Sequence, residues 1–290
     1  VANRTSPTVR RRRLAAELAK LRKESGKSRE AVAEYVGVAP STITRFENAS
    51  AAPPAMTVAG MLDFYGVAGE EKEMWVTVAK QARRRGWWSK YGGTIPDYFK
   101  FYVGLEEEAS EVRSYQPEAI FGLLQTEGYM RGLMANELES FTKEELDQRV
   151  KVRLMRQARL RGPGAPRLWI VLNEAAVRRQ VGGPDVMAEQ LRYLAEASSS
   201  TGPVVIQILT FAAGSHPAMD GAFEIIGFPE PRDPDVVYVQ SRRGGLYLEE
   251  QVDLREYGEI FTHLVARALG PEESRAMLVD IADEITRTTA

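Results

Sequence analysis

Along the first ninety positions apolar residues recur at intervals of three and four, the spacing that lines one face of a helix. Leu14, Leu18 and Leu21 mark a first helix from Arg10 to Lys23 that ends near Gly26. In Arg29–Asn48, REAVAEYVGVAPSTITRFEN, the residues Val32, Val36, Val38, Ile43 and Phe46 fall where two short helices crossing at a steep angle share one core. Small Ala33 permits close approach, and Gly37 supplies the turn, where a positive φ is cheapest. Ser28 is placed to cap the second helix; with Ala31 at the third helical position, no capping box is expected. Pro40 sits in the first turn of the third helix, behind Ala39, which is a poor cap. After the loop ASAAPPAM a fourth helix runs from Met56 to Tyr65 and closes at Gly66. A fifth runs from Gly69 to Arg85, with Met74, Val78 and Ala82 on one face.

Beyond Pro96 the pattern changes to mixed helices and strands. A helix is expected from Asp97 to Val112, with Phe101, Leu105 and Ala109 inward, then an extended segment over Ser114–Phe121 and a helix opening in LLQTEGYMRGLMA. Thr142 caps a charge-rich helix reaching about Leu160, whose outer side is a solvated face or a dimer face. RLWIVLNE, bounded by turn residues, reads as a buried strand. Further strands are expected at Val204–Thr210, Ala222–Phe228, Val236–Gln240 and Leu246–Glu249, and helices at Pro184–Ala197, Val252–Leu269 and Glu272–Thr286. The expected organisation is a helical domain over 1–82, a hinge over 83–96 and an α+β domain with a mixed or antiparallel sheet over 97–290. Residues 1–9 read as a flexible arm, and Trp87 and Trp88 in the hinge as a hydrophobic plug between the two domains.

Composition narrows the chemistry. The 290 residues are 44% apolar and 27% charged, ordinary for soluble domains with sizeable cores. No run approaches the roughly 18 consecutive apolar residues of a membrane span, and no apolar segment follows the N-terminal arginines, so a cytoplasmic location is expected. The absence of cysteine excludes disulfides, thiolate metal sites and cysteine nucleophiles, and two histidines leave little imidazole chemistry. The net charge of −2 hides an asymmetry: residues 1–90 hold 17 Lys+Arg against 9 Asp+Glu, while 91–290 hold 21 against 31. A basic module suited to a polyanion is joined to an acidic one.

Residues 10–69 resemble the helix-turn-helix of the XRE family, the class of phage repressors and Cro, through the turn glycine, the small residue before it, the apolar spacing, the RFEN ending and the following helix that ends in YGV. The resemblance implies an all-α, five-helix XRE or lambda-repressor-like DNA-binding domain whose helix 40–48 enters the major groove of double-stranded DNA. It places Pro40, Ser41, Thr42, Thr44 and Arg45 on or near the groove-facing surface, with Arg45 able to reach guanine O6 and N7 in bidentate fashion. Arg29 stands where the family commonly has a phosphate-anchoring glutamine, and phosphate contact is expected there too. Pro40 departs from the family's usual hydrogen-bonding side chain, so readout at that position is lost or replaced by contact with a thymine methyl. An arginine late in the first helix commonly pairs with a glutamate late in the recognition helix, which implies a structural ion pair between Arg22 and Glu47. Beside such a module the basic run from Arg10 to Arg13 reads as phosphate contact. Arg83–Arg85 either complement a helix dipole or add a second contact. Operators for this fold usually hold two half-sites, which implies a homodimer.

The remainder resembles a domain of unknown function that follows the XRE module in regulators of Gram-positive, high-GC filamentous bacteria. The resemblance is carried by RRRGWWSKYG, FYVGLEEEASEVRSY, IFGLLQTEGYMR, RVKVRLMRQARL, LWIVLNEAAVRRQVGG and TFAAGSHPAMDGAFEIIGF. Some members are described as antitoxin-like, which implies a small partner protein from a neighbouring gene. A small-molecule ligand is the rival signal, with Trp169, Phe211, Phe223 and Tyr238 either lining a pocket or forming an ordinary core. His216, Asp220, Glu249 and Glu250 are the only tempting polar cluster, and a loop histidine between strands reads as structural rather than catalytic. RGPGAP lacks the lysine and serine of a phosphate-cradling loop. The expectation is a cytoplasmic, nucleoid-associated transcriptional regulator without enzymatic activity, cofactor, metal or membrane partner.

Overall fold

The structure, a computed structural model, describes residues 7–137, 140–162, 164–198, 202–231 and 233–289. These fall into two compact units, the first drawn from residues 1–90, 100–108 and 230–233 and the second from 91–99, 109–229 and 234–290. The arm expected over 1–9 lies outside the described residues as far as residue 6, and its last three residues open the first helix.

In the first unit, α1 (Pro7–Glu24), α2 (Arg29–Val36), α3 (Pro40–Glu47), α4 (Ala55–Tyr65) and α5 (Gly69–Ala82) enclose one core. That core contains Leu14, Leu18, Val32, Ala33, Ile43, Phe46, Val58, Met61, Leu62, Trp75 and Ala79. The Ser28 hydroxyl accepts the Ala31 N–H, so a side chain satisfies one of the orphan donors at the start of α2. Gly37 ends α2 at φ 70°, donating to the Glu34 carbonyl, while Val38 N–H reaches back to the Ala33 carbonyl at 2.9 Å. This pair of bonds closes the helix and re-aims the chain into α3 within three residues. Pro40 takes the first turn of α3, and Ala39 provides no side-chain cap. The fifth helix ends at Ala82 rather than Arg85, and its inner face is Trp75, Ala79 and Ala82; Met74 is 44% exposed. Trp75, one position further on, carries the larger apolar surface and sets the rotation of the helix.

The second unit is built on a six-stranded mixed sheet in the order β3-β2-β1-β4-β5-β6. The strands are β1 (Glu111–Gln116), β2 (Arg167–Asn173), β3 (Val204–Leu209), β4 (Phe223–Gly227), β5 (Val236–Ser241) and β6 (Gly244–Leu248). The first three run parallel and the last three pair antiparallel. Between β1 and β2 the chain forms α7 (Glu127–Met134) and α8 (Lys143–Gln157), and between β2 and β3 it forms α9 (Glu174–Arg178) and α10 (Pro184–Ala197). Such excursions are what parallel neighbours require. Thr142 and Glu145 form a reciprocal capping box at the start of α8.

α11 (Gln251–Arg267) covers one face of the sheet, burying Phe261 and Leu264 against Tyr115, Val171, Phe223, Ile225 and Val237. α12 (Pro271–Thr289) packs on β3 and on α10. Buried Gln190 of α10 accepts from Thr126 N–H and donates to the Leu124 carbonyl, fixing the turn ahead of α7.

The helix expected to continue to Val112 is instead α6 (Asp97–Glu106), and residues 111–116 are the central parallel strand. The alternation in EVRSYQ fits a strand as well as a helix end, and pairing with both β2 and β4, which buries Val112, Ser114 and Tyr115, decides between them. Because β1 takes those residues, the extended segment stops at Gln116.

Gly132 of α7 lies so close to Gly182 that an added Cβ would stand 2.4 Å from the Gly182 Cα. Gly132→Ala is therefore expected to lower stability by about 1–3 kcal/mol, as overpacking against backbone does, read as an earlier denaturant midpoint at unchanged slope.

Candidate nucleic-acid interface

With Ile43 and Phe46 turned into the core, the helical period leaves Pro40, Ser41, Thr44 and Arg45 exposed together on the outer side of α3, with Thr42 half-buried at its margin. The Thr44 hydroxyl bonds the Pro40 carbonyl at 3.4 Å, so one of its hydrogen-bonding directions is turned back on the helix. Arg45 is exposed, and its side chain makes no hydrogen bond or ion pair among the described residues. The helix thus presents a short polar face carrying one cation. Its width suits the major groove, and its hydroxyl and guanidinium donors suit base edges.

Behind that face lies a charge network. Arg22 of α1 donates to both carboxylate oxygens of Glu47, at 2.5 Å from Nε and 3.1 Å from a terminal nitrogen, and also donates to the Lys27 carbonyl at 3.0 Å. The Glu47 side chain is 2% exposed. Arg29 joins from the first position of α2, its Nε donating to Glu47 at 2.8 Å, with its own side chain 45% exposed. One carboxylate at the end of α3 is therefore gripped from α1 and α2 at once. Burial pushes the Glu47 carboxyl up, but the hydrogen bonds from Arg22 and Arg29 outweigh it and hold the group below the usual carboxylate range. The nearby Tyr65 phenol is pushed up, first by burial and then by the Glu47 charge. The Arg29 contact escaped the sequence reading, whose only signal for it was a second arginine flanking the same turn.

The N-terminal basic run is largely packed. Arg12 is 7% exposed, and burial lowers Arg11 from its ordinary value. Arg13 holds Asp233 through two bonds of 2.9 and 2.5 Å, and burial lowers Arg10 against the opposing charge of Glu108. Four consecutive helical residues point every 100° around the axis, so such a run necessarily sends some of its members inward.

In the second unit the four aromatics are not gathered around one pocket. Trp169 meets Phe261 edge-on, Phe223 meets Tyr257, Tyr238 lies beside Tyr247, and Phe211 is 60% exposed. His216 shares a hydrogen bond of 3.2 Å with the Tyr115 phenol, and its ring is held below the usual imidazole value by burial and then by Arg267 and His263. Asp220, Glu249 and Glu250 are exposed. Among the described residues no group of three or more His, Asp or Glu is arranged to hold a metal ion, and no helix is long and apolar enough to cross a membrane.

The α2–turn–α3 geometry, with its core inside and a polar helix face outside, defines a helix-turn-helix, and residues 13–75 match the family described as a helix-turn-helix domain. A module of this class makes the protein a DNA-binding regulator. Residues 99–280 match the family described as a domain of unknown function (DUF5753), and the chain belongs to that family. No curated protein and no solved structure matches the chain.

Proposed function

We propose that this regulator is sequence-specific, with α3 lying in the major groove and Arg45 reading a guanine while Ser41 and Thr42 bond a base edge or a phosphate. The observation that carries the reading is the division of α3 into a buried side, Ile43 and Phe46, and an exposed side, Pro40, Ser41, Thr44 and Arg45. Pro40 offers no side-chain donor, so its contribution is apolar contact with a thymine methyl. Arg29, half-exposed at the start of α2, is the phosphate anchor, oriented by Glu47. Arg13, already bidentate to Asp233, and Arg10, set against Glu108, serve the packing of their own unit rather than the duplex.

The second unit holds two copies together, so that two recognition helices meet two half-sites about one helical turn apart. The test is retardation of duplexes by the full chain. A duplex from the region upstream of its own gene is expected to bind at least about a thousandfold more tightly than a scrambled duplex. Affinity should fall steeply with salt, and Arg29→Gln should lower the slope of log affinity against log salt by about 1 at unchanged sequence preference. Equal retention of every duplex would overturn the proposal.

A further inference from the structure

The parallel strands β1, β2 and β3 end side by side, and residues 210–222, which join β3 to β4, are tied to that end of the sheet. Little apolar surface holds them. Ala213 and Ala218 pack on the core, whereas the large side chains Phe211 and Met219 are 60% and 71% exposed. The ties are polar. Phe211 N–H donates to the Glu174 carboxylate at 2.9 Å, Arg267 of α11 donates to the Ala213 and Ser215 carbonyls, and His216 Nε2 meets the Tyr115 hydroxyl at 3.2 Å. Segments with few buried apolar contacts are the ones that open locally while the rest of a fold stays closed.

The tie through His216 works in one protonation state. Asn173, its Oδ1 held by the Ala175 N–H, donates from Nδ2 to the Tyr115 hydroxyl at 3.4 Å. The phenol therefore directs its own proton at His216 Nε2, which accepts. The imidazole proton then sits on Nδ1, a buried atom with no hydrogen-bond partner among the described residues. A second proton would turn Nε2 into a donor facing a hydroxyl that already accepts from Asn173, and the phenol proton would lose its acceptor. Arg267 and His263, the chain's other histidine, lie close enough on α11 for positive charge there to oppose that proton. The carboxylates nearby do not offset them: Glu174 is bonded to Phe211 and Arg178, Glu118 acts on Tyr115, and Asp220 acts on Tyr257.

We infer that residues 210–222 form an acid-released latch: with His216 neutral they are pinned across the ends of β1 and β2, and protonation of His216 frees them, uncovering Tyr115 and Asn173. Burial, then Arg267 and His263, hold the imidazole of the closed latch below its ordinary value, whereas the released one titrates near pH 6.5. The pin is thus fully present above about pH 6.5, weakens below it, and is lost as pH falls through the closed-state value. Between the two values the released fraction grows by up to about tenfold per pH unit. Glu174 stays ionised throughout: burial raises it, but the bonds from Phe211 N–H and Arg178 outweigh burial and hold it below the usual carboxylate range.

The experiment is hydrogen exchange read by mass on the full chain from about pH 5 to about pH 7.5, each peptide expressed as protection relative to its unfolded rate at the same pH. Protection over 210–222 is expected to fall by roughly tenfold from the neutral to the acid end, while β2 and β3 keep theirs, which separates release of the latch from unfolding. His216→Gln retains an acceptor for the Tyr115 hydroxyl and does not titrate, so its protection should be flat across the range. Tyr115→Phe removes the donor and should bring protection at neutral pH close to the wild type's acid level; it carries the test if His216→Gln melts early. Flat protection in the wild type, a fall that survives in His216→Gln, a Tyr115→Phe chain as protected as the wild type, or a fall shared equally by β2 and β3 would each overturn the inference.

Discussion

Replacing Glu47 with alanine is expected to remove about 3–5 kcal/mol of stability, the range for stripping one partner from a buried ion pair and leaving the other charge uncompensated. The Glu47 side chain is 2% exposed and Arg22 is 12% exposed, so neither is rescued by water when the other is removed. In a unit of this size each kcal/mol displaces the melting temperature by roughly 4–8 °C, so a loss of at least about 10 °C should be seen in a helix-sensitive melt. Arg22→Ala should do likewise; an Arg22→Ala protein that loses DNA binding and keeps its melting temperature would contradict the structural role. Because the folded carboxyl lies below its ordinary range, its contribution is fully present above the unfolded-state value near pH 4 and is lost as pH falls through the folded one. Wild type and Glu47→Ala should accordingly differ most at neutral pH and converge in acid. A difference that persisted undiminished below the folded value would show that packing, not charge, holds α3 in place.

Arg45→Ala is expected to do the opposite: no change in melting, and a loss of about 1–3 kcal/mol of discrimination at one base pair, roughly five- to 150-fold between the operator and its single-base variant. Its side chain is exposed and makes no hydrogen bond or ion pair among the described residues, so the folded unit loses nothing when it is shortened. The measurement is competition between two duplexes differing at that position. A uniform weakening across all duplexes would make Arg45 a phosphate contact and move readout to Ser41 and Thr42. The two substitutions, two positions apart on one helix, thereby separate what supports the reading face from what reads.

The helix-turn-helix was legible because its determinants lie close together along the chain. Capping by Ser28, closure by Gly37 and Val38, and the inward phase of Val32, Ile43 and Phe46 each involve residues within a few positions of one another. The strand RLWIVLN announced itself in the same way, by an uninterrupted apolar run. The surroundings of the opening basic run were hidden for the converse reason: Arg13 meets Asp233, 220 positions away, and nothing near Arg13 signals that partner.

By itself the sequence determined a helical module with a helix-turn-helix, an α+β region after Pro96, and the opposite charge of the two. The tertiary structure alone decided that Glu111–Gln116 is a central strand, that Glu47 serves two arginines, and that Ser274 and Leu269 cap the outer backbone of β3 at Ile208. The physical division is one of range. Periodicity and capping are settled within a helical turn or a strand length, whereas burial of a charge, choice of strand neighbour and exposure of an edge depend on which distant segments the closed chain brings alongside.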